Sequence, residues 1–488
     1  MRRFFVQNIF FLLLVNLIVK PVWIFGVDIR VQNLVGHEAY GQYQTLLNLS
    51  VIFQILLDFG LQQYNNRTVS RAPKIVKSLL PNMLVAKGFL SLIYLVVLSL
   101  VAFTLGYRGF ALYLLLLLGV NQTLLSLLLF LRSNISALQH FKSDSVLSVI
   151  DRLFMILTCS LLLWIPAMRA QFTITWFVWA QLGAYLLTAL IALRYCLRLA
   201  DFRWKQLDVL KVWVIARQSF PYALLVFLMA IYTRTDVIFI ERFHNAGAEE
   251  AGRFAAAARL LDVANNMSGV LFAGILLPLF GSMLARRQQV SGIVKLSANL
   301  LLPVAFTVAV VGFFFSTEIM QWLYHQVTDY DGQVLAALLF TFPGYCIGYI
   351  YATLLTANGS IRPLIFISLV AIFINLIANA IFTPRFGAIS AACIAVITQL
   401  VVSVMNIVVA GQLARLKIDF KWVLQFLLFI GLMVAASMLV QMLSWLLISK
   451  LIILAVIAFI LMFVCRFISP KNIREFMNGQ LKFGSNNS

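Results

Sequence analysis

Apolar residues of the 488-residue chain gather into long stretches that are separated by short polar segments. About 20 mostly apolar residues are enough for a helix to cross the hydrocarbon core of a bilayer. By that measure the pattern predicts fourteen transmembrane helices, at residues 5–27, 40–62, 81–104, 109–131, 145–166, 172–194, 218–242, 251–283, 297–317, 332–356, 363–383, 387–411, 422–446 and 449–467. The predicted fold class is therefore an all-α polytopic membrane protein.

Composition excludes several other classes of protein. Charged residues make up 11% of the chain, against about a quarter in soluble domains, and 62% of the residues are apolar. These figures exclude a soluble enzyme, a disordered chain and a secreted disulfide scaffold. The five cysteines are scattered with no CxxC pair, which predicts small packing residues. No catalytic, metal-binding or cofactor-binding motif is found, so neither an enzyme nor a cofactor is predicted.

The net charge of +20 arises from 37 basic and 17 acidic residues, and their distribution predicts the topology. With the N-terminus inside, most of the basic residues fall in cytoplasmic segments, as the positive-inside rule requires. Both termini are therefore predicted to be cytoplasmic, and the basic loops are expected to meet anionic lipid headgroups. Binding to nucleic acid is not expected, because the basic residues form no continuous stripe.

An internal repeat relates the two halves of the chain. Residues 36–43 read GHEAYGQY and residues 247–254 read GAEEAGRF, which share the pattern G-x-E-x-x-G-x-aromatic at an offset of 211. Six predicted spans separate the copies, so two parallel six-helix lobes are predicted around a central cavity, with two C-terminal helices appended. Taken locally, the glycines are better interpreted as shaping the turns that open spans 2 and 8. The repeated residues are Gly36, Glu38, Gly41, Gly247, Glu249 and Gly252.

The repeat also predicts domain boundaries. The N-lobe is predicted at residues 1–195 and the C-lobe at residues 218–411, with the two added spans at 412–468 and a cytoplasmic tail at 469–488. Between the lobes, residues 196–217 carry apolar side chains at helical spacing among charged ones. This segment is interpreted either as an interfacial amphipathic helix or as a plain solvated linker.

Several ionisable residues lie within the predicted spans. Each costs about 2.5–3.5 kcal/mol to insert, so such residues usually face a cavity or a partner. Lys87, Asp151 and Arg152 lie near the inner ends of their spans, where snorkelling explains them. A second group falls in one layer, from the middle to the outer half of the membrane, and consists of Lys20, Arg234, Asp236, Arg259 and Asp262.

Polar residues also follow one face of span 8 and the equivalent face of span 2. On span 8 this face consists of Ala255, Arg259, Asp262, Asn266 and Gly269. The repeat-equivalent residues of span 2 are Gln44, Asn48, Val51, Ile55 and Asp58. Because each set has the spacing of one α-helical stripe, both faces are predicted to line the cavity. A self-contained ion pair between Arg259 and Asp262 is the structural alternative.

The basic layer favours an anionic, amphipathic substrate, whose phosphates arginine would bind through charge-assisted hydrogen bonds. The predicted substrate-binding residues are Lys20, Asn48, Arg234, Asp236, Arg259, Asp262 and Asn266. If transport is coupled to a cation, the candidate carboxylates are Asp58, Asp236 and Asp262.

Short motifs along the first twelve predicted spans resemble a known family. They are GHEAYGQY at 36–43, LDFG at 57–60, YTRTD at 232–236, GRF at 252–254, ARL at 258–260, TANG at 356–359, NLIAN at 375–379 and FGAISAA at 386–392. In this order they resemble the oligosaccharide flippases of the Wzx type. That family belongs to the multidrug/oligosaccharidyl-lipid/polysaccharide exporter superfamily, together with lipid II flippases and multidrug and toxin extruders.

The resemblance implies a bacterial inner-membrane flippase that moves undecaprenyl-pyrophosphate-linked oligosaccharide outward by alternating access. Lys20, Arg234 and Arg259 match the family's basic pyrophosphate-binding residues, and glycan polymerases and glycosyltransferases of the same pathway are implied partners. One alternative is a proton- or sodium-coupled multidrug exporter of the same superfamily. A less favoured one is a membrane glycan polymerase or ligase with Asp28 and Glu38 as outer acids, because no outer loop is long enough to bind an acceptor.

Overall fold

The computed structural model of the chain describes residues 21–62, 75–200, 209–414 and 420–467, together with Val19, Asn65 and Val69. Every regular element in these ranges is a helix, and no strand occurs among them. The predicted all-α polytopic fold class is therefore confirmed. Most of predicted span 1, residues 201–208 of the predicted linker and the predicted tail lie outside the described residues.

The described residues form fourteen helices of eight residues or more. They are α1 (Ile29–Ile52), α2 (Val76–Thr104), α3 (Gly109–Ala137), α4 (Phe141–Trp164), α5 (Ile174–Ala200), α6 (Val209–Arg234), α7 (Asp236–Phe243), α8 (Gly247–Ala285), α9 (Ser291–Leu323), α10 (Asp329–Leu339), α11 (Thr341–Ala357), α12 (Ile361–Ala414), α13 (Phe420–Gln441) and α14 (Leu447–Val464). A π-helical turn, Ile24–Asp28, precedes α1, and a 3₁₀ segment, Phe53–Leu57, follows it.

Helices and membrane crossings do not correspond one to one. Within the described ranges, nine helical stretches are long and apolar enough to cross a membrane, or ten if the bent pair α6 and α7 forms one span. The 54-residue α12 counts once, although it leaves the helical conformation at Gly387, the first residue of predicted span 12. Helix α1 is not among the nine, because residues such as Gln42, Gln44 and Asn48 interrupt its apolar positions.

The chain packs as two compact units, residues 1–255 and 256–488. The boundary falls within α8, because α6 and α7 pack against α1 in the first unit. This division differs from the lobes predicted at 1–195 and 218–411. The lobe boundaries come from the repeat and remain a prediction.

Each unit has its own arrangement of helices around a buried core. In the first, α3 contacts α1, α2, α4 and α5, and its Leu131 and Ile135 are completely buried. In the second, α9 contacts α10, α11, α13 and α14, while α11 packs along α12. Most of the cysteines are buried in these cores, as predicted for packing residues, whereas Cys393 is exposed. The buried cysteines are Cys159, Cys196, Cys346 and Cys465.

Gly36 interrupts α1 and redirects the chain there. Its backbone has φ 82° and ψ 169°, outside the helical region. A residue with a Cβ pays about 1–3 kcal/mol in such a conformation, whereas glycine adopts it freely. This conformation is compatible with the interpretation of Gly36 as a turn-shaping residue.

We expect Gly36→Ala to lower the free energy of unfolding by about 1–3 kcal/mol, because alanine is strained at this φ and ψ. The matched control is Gly183→Ala in α5, where an added Cβ would meet no atom within 4 Å and the backbone φ is ordinary. That control should be neutral or stabilising, since alanine is the better helix former. Thermal unfolding of the detergent-purified proteins measures both; an equal midpoint shift in the two variants would contradict the prediction.

Candidate functional site

The predicted seventh span is broken. Helix α6 ends at Arg234 and α7 begins at Asp236, with a bend of 45° and only Thr235 between them. The Thr235 hydroxyl donates to the backbone oxygen of Ile231 and so closes the last turn of α6. Within a membrane, such a break is tolerated only where it is buried in protein or lines a water-filled cavity. Broken helices of this kind form substrate sites in transporters.

Arg234 and Asp236 occupy the two helix ends that the break creates. The positive charge stands at the C-terminus of α6 and the negative charge at the N-terminus of α7, so each is stabilised by the helix dipole. The Arg234 Nη1 donates to the Asn48 Oδ1 of α1 at 3.3 Å, and Asp236 is 5% exposed. The structure therefore brings the predicted residues Arg234 and Asn48 together, while Asp236 begins the next helix two residues along the chain.

Asn48 is held in place by its own helix. Its Nδ2 donates to the backbone oxygen of Gln44 at 2.9 Å, which leaves Oδ1 to accept from Arg234. Arginine carries five N–H donors. Among the described residues Asn48 is the hydrogen-bond partner of Arg234, so this half-buried guanidinium retains capacity for an anionic ligand.

A second cluster lies on α8, in the second unit. The Arg259 Nη1 lies 4.0 Å from the Asp262 Oδ2, with the two side chains 20% and 27% exposed. The Asn266 Nδ2 donates to the backbone oxygen of Asp262 at 2.8 Å. The two charges therefore form an i, i+3 ion pair at a distance longer than a hydrogen bond. Arg259, Asp262 and Asn266 thus share one face of α8, as their spacing predicts.

Asp58 forms an ion pair with a lysine of the first unit. The 3₁₀ segment Phe53–Leu57 tightens the chain after α1, so Asp58 departs from the predicted α-helical stripe. The Lys87 Nζ of α2 lies 2.6 Å from the Asp58 Oδ1, and it also donates to the Leu57 carbonyl and the Ser126 hydroxyl, both at 2.9 Å. Lys87 is 4% exposed, so the prediction that it snorkels to the membrane surface was wrong.

Two acidic residues of the first unit, Asp28 and Asp151, also differ from expectation. Lys20 lies outside the described residues. Asp28, considered as an outer acid in the polymerase alternative, is 1% exposed and accepts a hydrogen bond from Tyr40 at 3.1 Å. Snorkelling was also wrong for Asp151, which is 6% exposed. No local pattern in the sequence pairs Asp28 with a tyrosine twelve residues away, so sequence reasoning missed this contact.

The repeated glycines have two different roles. A methyl group at Gly247 would overlap the backbone oxygen of Glu241, which fits a tight turn between α7 and α8. Methyl groups at Gly41 and Gly252 would instead overlap the backbone of another helix. The turn interpretation is therefore wrong for those two. Of the repeated acids, Glu38 is exposed, and Glu249 accepts a hydrogen bond from Arg253 at 2.9 Å.

Comparison with known families identifies the chain. Residues 5–284, more than half of the chain, match the family described as polysaccharide biosynthesis protein. The chain belongs to this family. The match extends through α8 and so includes both described clusters. No curated protein matches the chain in sequence.

Solved structures of flippases and transporters share the fold. The lipid II flippase MurJ in its inward closed conformation has a TM-score of 0.68 at 13% identity, over 94% of this chain and 98% of that one. An inward-facing multidrug resistance MATE transporter of the MOP superfamily has a TM-score of 0.59 at 14% identity, over 83% and 98%. The Vibrio cholerae MATE transporter VcmN in its bent form has a TM-score of 0.56 at 13% identity, over 84% and 96%. The chain is thus a multi-pass membrane protein with a flippase- and transporter-type fold.

Proposed function

We propose that the protein is a flippase for undecaprenyl-pyrophosphate-linked oligosaccharide, the repeat unit of an O-antigen, capsule or exopolysaccharide. It would carry this substrate across the bacterial inner membrane by alternating access, with both termini in the cytoplasm. The observation that carries the proposal is Arg234 at the broken helix, half-buried within a predicted span and held by Asn48. Membership of the polysaccharide biosynthesis family supports the glycan part of the substrate, and the fold shared with a lipid II flippase supports the lipid-linked part.

Arg234 would bind the pyrophosphate, since a guanidinium can donate two parallel hydrogen bonds to phosphate oxygens. Arg259 is predicted from the sequence to add a second positive charge. Asp236, Asp262 and Asn266 would accept or exchange hydrogen bonds with sugar hydroxyls. Lys20 is predicted to add a third positive charge, and the polyprenyl chain would stay in the bilayer. Glycosyltransferases that make the substrate and a polymerase that consumes it are the proposed partners.

Transport into proteoliposomes tests this function. The purified protein is reconstituted with undecaprenyl-pyrophosphate oligosaccharide, and a glycan-cleaving enzyme added outside reports the fraction of substrate in the outer leaflet. We expect the protein to move the initially protected fraction outward, whereas protein-free vesicles should retain it. Equal protection with and without the protein would refute the proposal.

An ion-coupled multidrug exporter is the second candidate, favoured by the MATE-type fold. Asp58, Asp236 and Asp262 remain the candidate carboxylates for that role, and of these Asp58 forms an ion pair with Lys87. Efflux of a cationic dye from cells that overproduce the protein separates the two functions. Dye efflux that is lost in Asp236→Asn or Asp262→Asn, without glycan transport by the unaltered protein, would favour the exporter.

A further inference from the structure

The first unit contains a direct contact between the backbones of α1 and α8. A methyl group added at Gly41 would overlap the backbone oxygen of Ala248 and lie 2.5 Å from the Gly252 nitrogen. A methyl group at Gly252 would overlap the His37 oxygen and lie 2.6 Å from the His37 carbonyl carbon. Small residues permit helices to approach this closely within a membrane. We call these four residues, His37, Gly41, Ala248 and Gly252, the glycine seam.

The glycine seam is symmetric with respect to the internal repeat. At the offset of 211, His37 is equivalent to Ala248, and Gly41 is equivalent to Gly252. Gly41 contacts Ala248 while Gly252 contacts His37, so each contact is the counterpart of the other. A twofold axis through an interface produces such reciprocal pairs. The two copies of the motif therefore meet each other, which neither copy reveals alone.

Polar contacts flank the glycine seam. The Gln32 side chain donates to the Gly252 backbone oxygen at 3.1 Å, and Thr45 donates to the Val237 oxygen at 3.5 Å. Gln32 is 2% exposed and Thr45 is fully buried. All of these residues lie in the outer half of the bundle according to the predicted topology. The contacts join a segment of the predicted N-lobe to a segment of the predicted C-lobe.

A third contact lies in the connection between α2 and α3. The Tyr107 hydroxyl donates to the Glu241 Oε2 at 2.9 Å, and the Arg242 guanidinium lies 3.3 Å from the centre of the Tyr107 ring. Burial, and then the negative charge of Glu241, raise the pKa of Tyr107, so the hydroxyl keeps the proton that it donates. We call these two contacts of Tyr107, with Glu241 and with Arg242, the latch. They connect the end of α7 to the α2–α3 connection.

We propose that the glycine seam is the outer gate, closed in this structure and open when cargo leaves toward the outside. At the glycine seam the backbones of α1 and α8 are in direct contact, and a few hydrogen bonds flank the contact. The two helices can therefore separate there without disrupting interdigitated side chains. The symmetry lets both halves move apart in the same way. The proposal rests on transport by alternating access but not on the identity of the cargo.

Reagent access to Thr45→Cys tests the gate. Thr45 is fully buried beside the glycine seam, and labelling by a membrane-impermeant thiol reagent from outside measures how often the seam opens. Cys393 is replaced because it is exposed, and the buried Cys346 is kept as a reporter of intact folding. In this background we expect Gly41→Ala and Gly252→Ala each to raise the labelling rate about tenfold, since an added methyl removes the closed state.

Gly183→Ala is the matched control, because its methyl group would meet no atom within 4 Å. It should leave the labelling rate unchanged. If the seam glycine variants do not fold, Tyr107→Phe is a milder way to weaken the closed gate. It removes the hydrogen bond to Glu241 and keeps the aromatic ring over Arg242. We expect it to raise labelling severalfold while Cys346 stays unlabelled. Unchanged labelling in Tyr107→Phe and in every folded seam variant would overturn the gate. Altered labelling without glycan transport by the unaltered protein would refute the proposed cargo and leave the gate standing.

Discussion

Arg234→Ala is expected to slow transport of the lipid-linked glycan by about 10- to 100-fold, as the loss of hydrogen bonds to a charged group predicts. Folding should be retained, because the guanidinium has one hydrogen bond of 3.3 Å to Asn48 among the described residues. Arg234→Lys keeps the charge but lacks the planar fork, so it should recover only part of the rate. The proteoliposome assay gives the rates, and gel filtration with thermal unfolding checks the fold.

Two further variants make the Arg234 prediction specific. Arg169→Ala removes a positive charge from the exposed one-turn helix Pro166–Arg169 and should leave transport unchanged. Asn48→Ala removes the residue that holds Arg234, and an intermediate rate is expected. If Arg234→Ala transports as well as Arg169→Ala, the pyrophosphate does not bind at the broken helix.

Lys87→Met should lower the stability of the first unit, because it leaves the buried partners of Lys87 unpaired. Removing one partner of a fully buried ion pair costs about 3–5 kcal/mol. Here Asp58 is 26% exposed and can recover some hydration, so we expect about 1–3 kcal/mol, the cost of leaving buried polar groups unpaired. The Leu57 carbonyl and the Ser126 hydroxyl lose their shared donor at the same time.

A double variant tests whether the Lys87–Asp58 ion pair is the source of this stability. Lys87→Met combined with Asp58→Asn removes the uncompensated charge, so the double variant should be more stable than Lys87→Met alone. Arg132→Met breaks a partly exposed ion pair to Asp144, at 2.8 Å, and should cost less than about 1 kcal/mol. Thermal unfolding measures all three variants. A double variant that is no more stable than Lys87→Met would show that the ion pair is not what stabilises this end of α1.

The spacing of residues predicted the face of α8 correctly but failed for α1. Arg259, Asp262 and Asn266 lie on one uninterrupted α-helix, where sequence spacing fixes the face. The corresponding stripe on α1 ends where the chain tightens into the 3₁₀ segment, so Asp58 turns toward Lys87. Periodicity in the sequence does not predict the change from α-helix to 3₁₀-helix after α1, because that change depends on the residues that pack against this segment.

The sequence by itself determined the fold class and the repeat, and it predicts a layer of charged residues within the membrane. Apolar length, composition and motif spacing are properties of the chain, and the hydrophobic effect acts on them in the same way in any membrane protein. Only the tertiary structure decided which residues meet: Asp58 with Lys87, Arg234 with Asn48, and the two copies of the glycine motif with each other. The first two partners are 29 and 186 residues apart along the chain. Such contacts depend on packing between helices, which no local pattern encodes.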